Sequence, residues 1–174
     1  MLEMKMKNNF NKKKFKQVLH YLISRCGELD NVGKTVFYKL LYFADFNYYE
    51  LHEDKLTGET YRKLPRGPAP SHFDEAASEL ENEGKIRPFD DVFFGYHQHR
   101  FQSLAAPQLD LISREELEVI DAVISKCSLM TAREASDYSH EDMPYRATDD
   151  LEIIDYELVF YRDPKFSVRV YIDD

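Results

Sequence analysis

The chain has 174 residues, 43% of them hydrophobic and 32% charged, with 12 Tyr, 12 Phe and no Trp. That length suits one domain able to bury roughly 70% of its unfolded surface, and that balance excludes a disordered chain. The net charge is −9; residues 1–16, with six Lys and one Glu, carry +5 and leave −14 on the rest, which repels phosphate backbones and disfavours nucleic acid as a partner of the body.

Only Cys26 and Cys127 could form a disulfide, and no apolar run reaches signal-peptide or membrane-spanning length. These features predict free thiols, a cytoplasmic location and no membrane contact. The lysines of residues 1–9 read as a basic arm, and residues 10–174 as one domain.

Phe15, Val18, Leu19, Leu22 and Ile23 recur at helical spacing and predict a helix over Phe10–Arg25, stopped by Gly27. Asp30 or Asn31 is positioned to cap a second helix from about Gly33 to Leu51. That helix is apolar on most faces, through Val36, Phe37, Leu40, Leu41, Phe43, Ala44 and Tyr48, and so should be central. A polar turn over Asp54–Gly58 and an extended piece over Thr60–Leu64 follow. Pro65, Pro68 and Pro70 forbid a helix there.

Ser71 fits the capping position of a third helix with a Phe73, Ala77 and Leu80 stripe, ended by Gly84. Lys85–Leu104 reads as β-structure, with Pro88 marking an edge strand. Ser113 with Glu116, and Thr131 with Glu134, are capping-box pairs that open two more helices. Leu117, Ile120, Val123, Ile124 and Cys127 form the apolar face of the first of these. Pro144 breaks the chain after the second. Tyr156–Tyr161 reads as a short helix, and the alternation of Phe166, Val168, Val170 and Ile172 as a terminal strand. The expected fold is therefore α+β and helix-dominated: five to six helices and a small antiparallel sheet in a single domain.

Tests for chemistry give no positive signal. Gly27–Thr35, GELDNVGKT, mimics a phosphate-binding loop but has five residues between its glycines instead of four, and it follows a helix where such a loop follows a strand. His97 and His99 would share one strand face, yet a closed metal site needs more ligands than they supply. His20, His52, His72 and His140 accompany no nucleophile signature. Cys26 sits at the end of a helix whose dipole opposes a thiolate. The residues give no reason to expect an enzyme, and no catalytic, cofactor-binding or metal-binding residue is predicted.

Three ordered blocks carry a family likeness: Lys39–Asp45 (KLLYFAD), Leu56–Tyr61 (LTGETY) and Arg66–Ser71 (RGPAPS). Together they resemble the Panacea domain of SocA-like antitoxins, whose typical form is a KLLYFAD-like helix, a TGD-x-Y-like turn and a GPVPS-like segment. Later positions agree: Thr131, Glu134 and His140 match its fifth-helix element, and Pro144-Tyr145-Arg146 stands where the family tends to have Pro-Trp. Ala69, Ala135 and Tyr145 depart from the usual Val, Leu and Trp. The likeness runs from about Phe10 to Asp163.

The resemblance implies a cytoplasmic bacterial or phage-associated protein that neutralises a cognate toxin by direct binding. The toxin partner would come from the neighbouring gene, and in some members the antitoxin would serve as a protease adaptor. It implies no cofactor and leaves a homo-oligomer open. Partner contacts are expected from Thr57, Gly58, Tyr61, Arg66, Gly67, Pro68, Pro70, Ser71, His140, Pro144, Tyr145 and Arg146, a rigid polar-aromatic set. The acidic body suits a basic toxin. The alternative is a DNA-binding transcriptional regulator, using the first two helices and the basic arm.

Overall fold

The computed structural model describes residues 9–172; the expected basic arm, apart from Asn9, lies outside them. Helix α1 spans Lys12–Cys26, and its N-cap Asn11 accepts a hydrogen bond from the Lys14 backbone N–H. It turns Phe15, Val18, Leu19, Leu22, Ile23 and Cys26 inward. Three of its four lysines are paired: Lys12 meets Glu75 at 2.9 Å, Lys16 meets Glu83 at 2.5 Å, and Lys14 meets Glu116; Lys13 is exposed.

Helix α2, Lys34–His52, is the central element that the sequence predicts. Val36, Phe37, Leu40, Tyr42 and Phe46 are all fully buried, which a helix covered on most faces requires. It ends at Glu53, which adopts φ 53° and donates its N–H to the Tyr49 carbonyl. The capping expectation for this helix fails. Gly33 occupies the N-cap, and Asn31 instead donates its side-chain amide to the Ser128 and Met130 carbonyls at 2.7 and 2.8 Å. Two carbonyl acceptors from a distant loop outcompeted a local cap.

Strands β1 (Tyr61–Leu64) and β2 (Gly67–Pro70) form a hairpin with Leu64 opposite Gly67. The prolines fit because β2 is an edge and needs no outward donors. Helix α3 covers Phe73–Asn82; Ser71 does not cap it, being exposed in the preceding turn, with His72 at the cap position. Strands β3 (Ile86–Phe93) and β4 (Tyr96–Ser103) form a second antiparallel ribbon. Phe94 and Gly95 both take positive φ, 48° and 82°, as a two-residue hairpin turn demands. The small sheet is thus two separate two-stranded sheets.

Helices α4 (Arg114–Cys127) and α5 (Ala132–His140) begin with the complete capping boxes of Ser113–Glu116 and Thr131–Glu134. A short α6, Met143–Arg146, and a 3-10 helix, Tyr156–Tyr161, close the core. The expected terminal strand is absent. Phe166 is buried against Phe43 and Tyr138, but the Val168 N–H goes to the Glu50 carboxylate, and Val170 and Ile172 are exposed. The alternation is real, but among the described residues no strand edge lies alongside to pair with it.

Candidate functional site

The LTGETY block is fastened from below by Asp45 of α2. The carboxylate of Asp45, 1% exposed, accepts from the Thr57 N–H at 2.8 Å, the Thr57 hydroxyl at 2.7 Å and the Tyr61 hydroxyl at 2.6 Å. Burial raises its pKa to about 6, against the pull of these donors. Glu59, fully buried, accepts from the His72 N–H at 2.8 Å and from the Thr60 N–H at 2.7 Å, and pairs with His72 Nδ1 at 2.6 Å. Glu59 thereby serves the N-terminus of α3 in place of Ser71, at the end where a carboxylate is favoured. Tyr156 donates its hydroxyl to the Glu59 carbonyl.

The RGPAPS block reaches the same helix through Gly67. Gly67 is buried at φ +120°, and a Cβ there would lie 2.7 Å from Lys39 Cε, 2.7 Å from Ser139 Oγ and 3.0 Å from Lys39 Nζ. Glycine is required both for the dihedral and for the approach. Lys39 is 2% exposed, and among the described residues no carboxylate pairs with it. Burial, and then the Arg66 charge, lower its pKa to about 7. Beside it, His140 stacks on Tyr145 with ring centroids 4.8 Å apart, and its Nε2 is buried without a hydrogen-bond partner. Tyr145 donates its hydroxyl to the Leu64 carbonyl, and Lys63 lies 4.6 Å over its ring. Lys39, Gly67, Ser139, His140 and Tyr145 thus converge under the β1–β2 hairpin.

A third network ties the chain's last segment to α2. The Arg162 side chain, fully buried, donates to Asp142 at 2.8 and 3.0 Å, to Glu50 at 3.1 Å and to Asn47 at 2.8 Å. Tyr42 donates to Asp142, while Ser167 and Tyr171 donate to Glu50. Here the buried cation has two carboxylates and several further donors around them, so the charge is offset.

Of the residues expected to meet a partner, Arg66, Ser71 and Arg146 are exposed and His140 is half-buried. Thr57, Gly58, Tyr61, Gly67, Pro68, Pro70, Pro144 and Tyr145 are buried, and hold the exposed ones in place. Gly58 is pinned at φ +77° against the Asn9 carbonyl. Sequence reasoning missed Lys39, Asp45, Glu59, Asp142 and Arg162 as organising groups. Lys39 and Asp45 carried a signal, two charges inside a helix otherwise apolar on most faces.

Burial pushes both thiols, Cys26 and Cys127, up to about 11, so neither is a thiolate at neutral pH. Among the described residues no cluster of three His, Cys, Asp or Glu side chains is arranged for a metal; His99 instead pairs with Asp90 at 2.7 Å. The glycines of the phosphate-loop mimic cap helices: Gly27 ends α1 and Gly33 precedes α2. Among the described residues no helix is long and apolar enough to cross a membrane.

Residues 37–145 match the family model described as antitoxin SocA-like, Panacea domain. This range contains the Asp45 and Glu59 network and the Lys39–Gly67–Ser139 convergence, and it ends on Tyr145. No curated protein and no solved structure matches the chain.

Proposed function

We propose, from the premise that this chain belongs to the SocA-like antitoxin, Panacea-domain family, that it is a non-catalytic antitoxin which silences a toxin by direct binding. The observation that carries the reading is the family match over the residues that build the hairpin face. A buried frame of Asp45, Glu59 and Gly67 fixes that face, so little conformational freedom is lost when a partner docks. Delivery of the bound toxin to a protease is a further step that the same family likeness suggests.

The regulator alternative is weakened by α2. Its faces are buried against α1, α4, α5 and β2, so it has no free side to lay in a DNA groove.

Co-expression with the product of the adjacent gene tests the proposal. Growth rescue together with a complex that co-purifies is the expected result. A neighbour that is harmless alone, with no complex formed, would sink it.

A further inference from the structure

The β1–β2 hairpin gathers several cations on an acidic protein. Arg62, Lys63 and Arg66 stand on it, and Lys39 lies beneath Gly67. Among the described residues none of these four forms an ion pair. Most other described cations are paired, among them Arg162 with Asp142 and Glu50, Lys16 with Glu83 and Arg146 with Asp163; Lys13, Lys55, Arg87 and Lys126 also lack an ion pair, but they are scattered, whereas the hairpin gathers four. Arg62 donates only to the Leu151 carbonyl, and Lys63 lies over the Tyr145 ring. The segment that runs beside β1 carries Asp149, Asp150 and Glu152, yet their carboxylates stay outside ion-pair reach of all four cations.

A chain of net charge −9 has carboxylates to spare. Leaving Lys39 unneutralised near the charge of Arg66 is costly for the isolated protein. That cost is relieved when an anion arrives from outside. A single carboxylate suits the geometry better than a polyanion, since the surrounding acidic body repels a phosphate backbone.

We propose that this hairpin face receives an acidic segment of the partner protein, one carboxylate of which sits at Arg66 and offsets its repulsion with Lys39. Only the identity of the partner rests on the antitoxin reading; the carboxylate preference rests on the hairpin. It reverses the expectation drawn from net charge, that the acidic body selects a basic toxin. The body's charge governs approach at long range, while the contact face has the opposite sign.

The test uses the full chain with hexaglutamate as probe, and hexalysine and a 12-base-pair DNA duplex as comparators. Labelled-lysine NMR follows the Lys39 titration, whose midpoint burial lowers to about 7. Hexaglutamate should move that midpoint up by about one pH unit. Arg66→Gln, and the Arg62→Gln/Lys63→Gln pair, should each weaken hexaglutamate binding at least about tenfold. Lys13→Gln, an exposed change on α1, should not.

A Lys39 midpoint unmoved at saturating peptide would overturn the proposal. So would equal weakening by Lys13→Gln, or DNA binding as tight as the peptide. The same variants are scored for toxin rescue. If the wild type rescues growth and Arg66→Gln rescues equally well after losing peptide binding, the site fails and the antitoxin reading stands. If the wild type does not rescue, that reading fails and the titration still decides whether the face takes carboxylates.

Discussion

Replacing Lys39 with Met should stabilise the chain, by an amount that shrinks as pH rises. Lys39 is 2% exposed, and burial, with Arg66 nearby, lowers its pKa from 10.5 to about 7. A base whose folded pKa lies below its unfolded value leaves the unfolded chain holding the extra proton between those two pH values. Wild-type stability therefore carries a term that rises with pH from about 7 toward 10.5, by up to roughly 1.4 kcal/mol per pH unit. Below about pH 7 both states are protonated and the term is flat at its full cost, of order 5 kcal/mol over the whole interval.

Met keeps an unbranched stem of similar volume and carries no charge. Allowing for local relaxation around the lysine, the gain at pH 7 should be about 2–4 kcal/mol, falling by about 2 kcal/mol at pH 9. Urea unfolding of both chains at pH 6, 7, 8 and 9 measures it. The difference between the chains is the quantity to read, because the raised thiols of Cys26 and Cys127 are common to both and cancel. A gain that stays constant from pH 6 to 9, or a variant less stable throughout, would refute the reasoning.

Gly67→Ala should lower the melting temperature by roughly 4–8 °C, since it forces a side chain to φ +120° and to 2.7 Å from Ser139 Oγ; no shift would mean the hairpin can move aside. Tyr61→Phe removes the 2.6 Å hydrogen bond to Asp45 and should cost about 1–3 kcal/mol. It should also raise the Asp45 titration above about 6 in carboxyl NMR, because that bond favours the charged form. An acid with a raised folded pKa favours the folded chain more as pH falls through it, so this variant should extend that gain upward in pH. Arg162→Met strands Asp142 and Glu50 and should cost about 3–5 kcal/mol in urea unfolding, with much of it recovered when Asp142→Asn and Glu50→Gln are added.

What could be read from the sequence was what is decided locally. The capping boxes of Ser113–Glu116 and Thr131–Glu134 formed as spelled, since each needs only residues three apart. The central place of α2 followed from its near-uniform apolarity. The Asn31 and Ser71 caps failed because a distant partner took the role: loop carbonyls for Asn31, and Glu59 in place of Ser71. The terminal alternation failed for want of a neighbouring edge. Within the family-like blocks, the sequence marked the right segments but not which side chains face inward. Thr57 and Tyr61 looked like contact residues, yet they bond to Asp45 at the bottom of the fold. Arg162 gave no local sign at all, because its partners lie 20 and 112 positions away.

That separation has a consequence for how the chain is made. Synthesis proceeds from the N-terminus, so α2 with Glu50 emerges more than a hundred residues before Arg162 and Ser167 can reach it. Until then Glu50 and Asp142 have no cation to offset them, and α2 cannot be sealed without burying bare carboxylates. The core should stay open until Arg162 and Ser167 have left the ribosome and can reach Glu50. A chain that stops before Arg162 would then be left open to proteolysis.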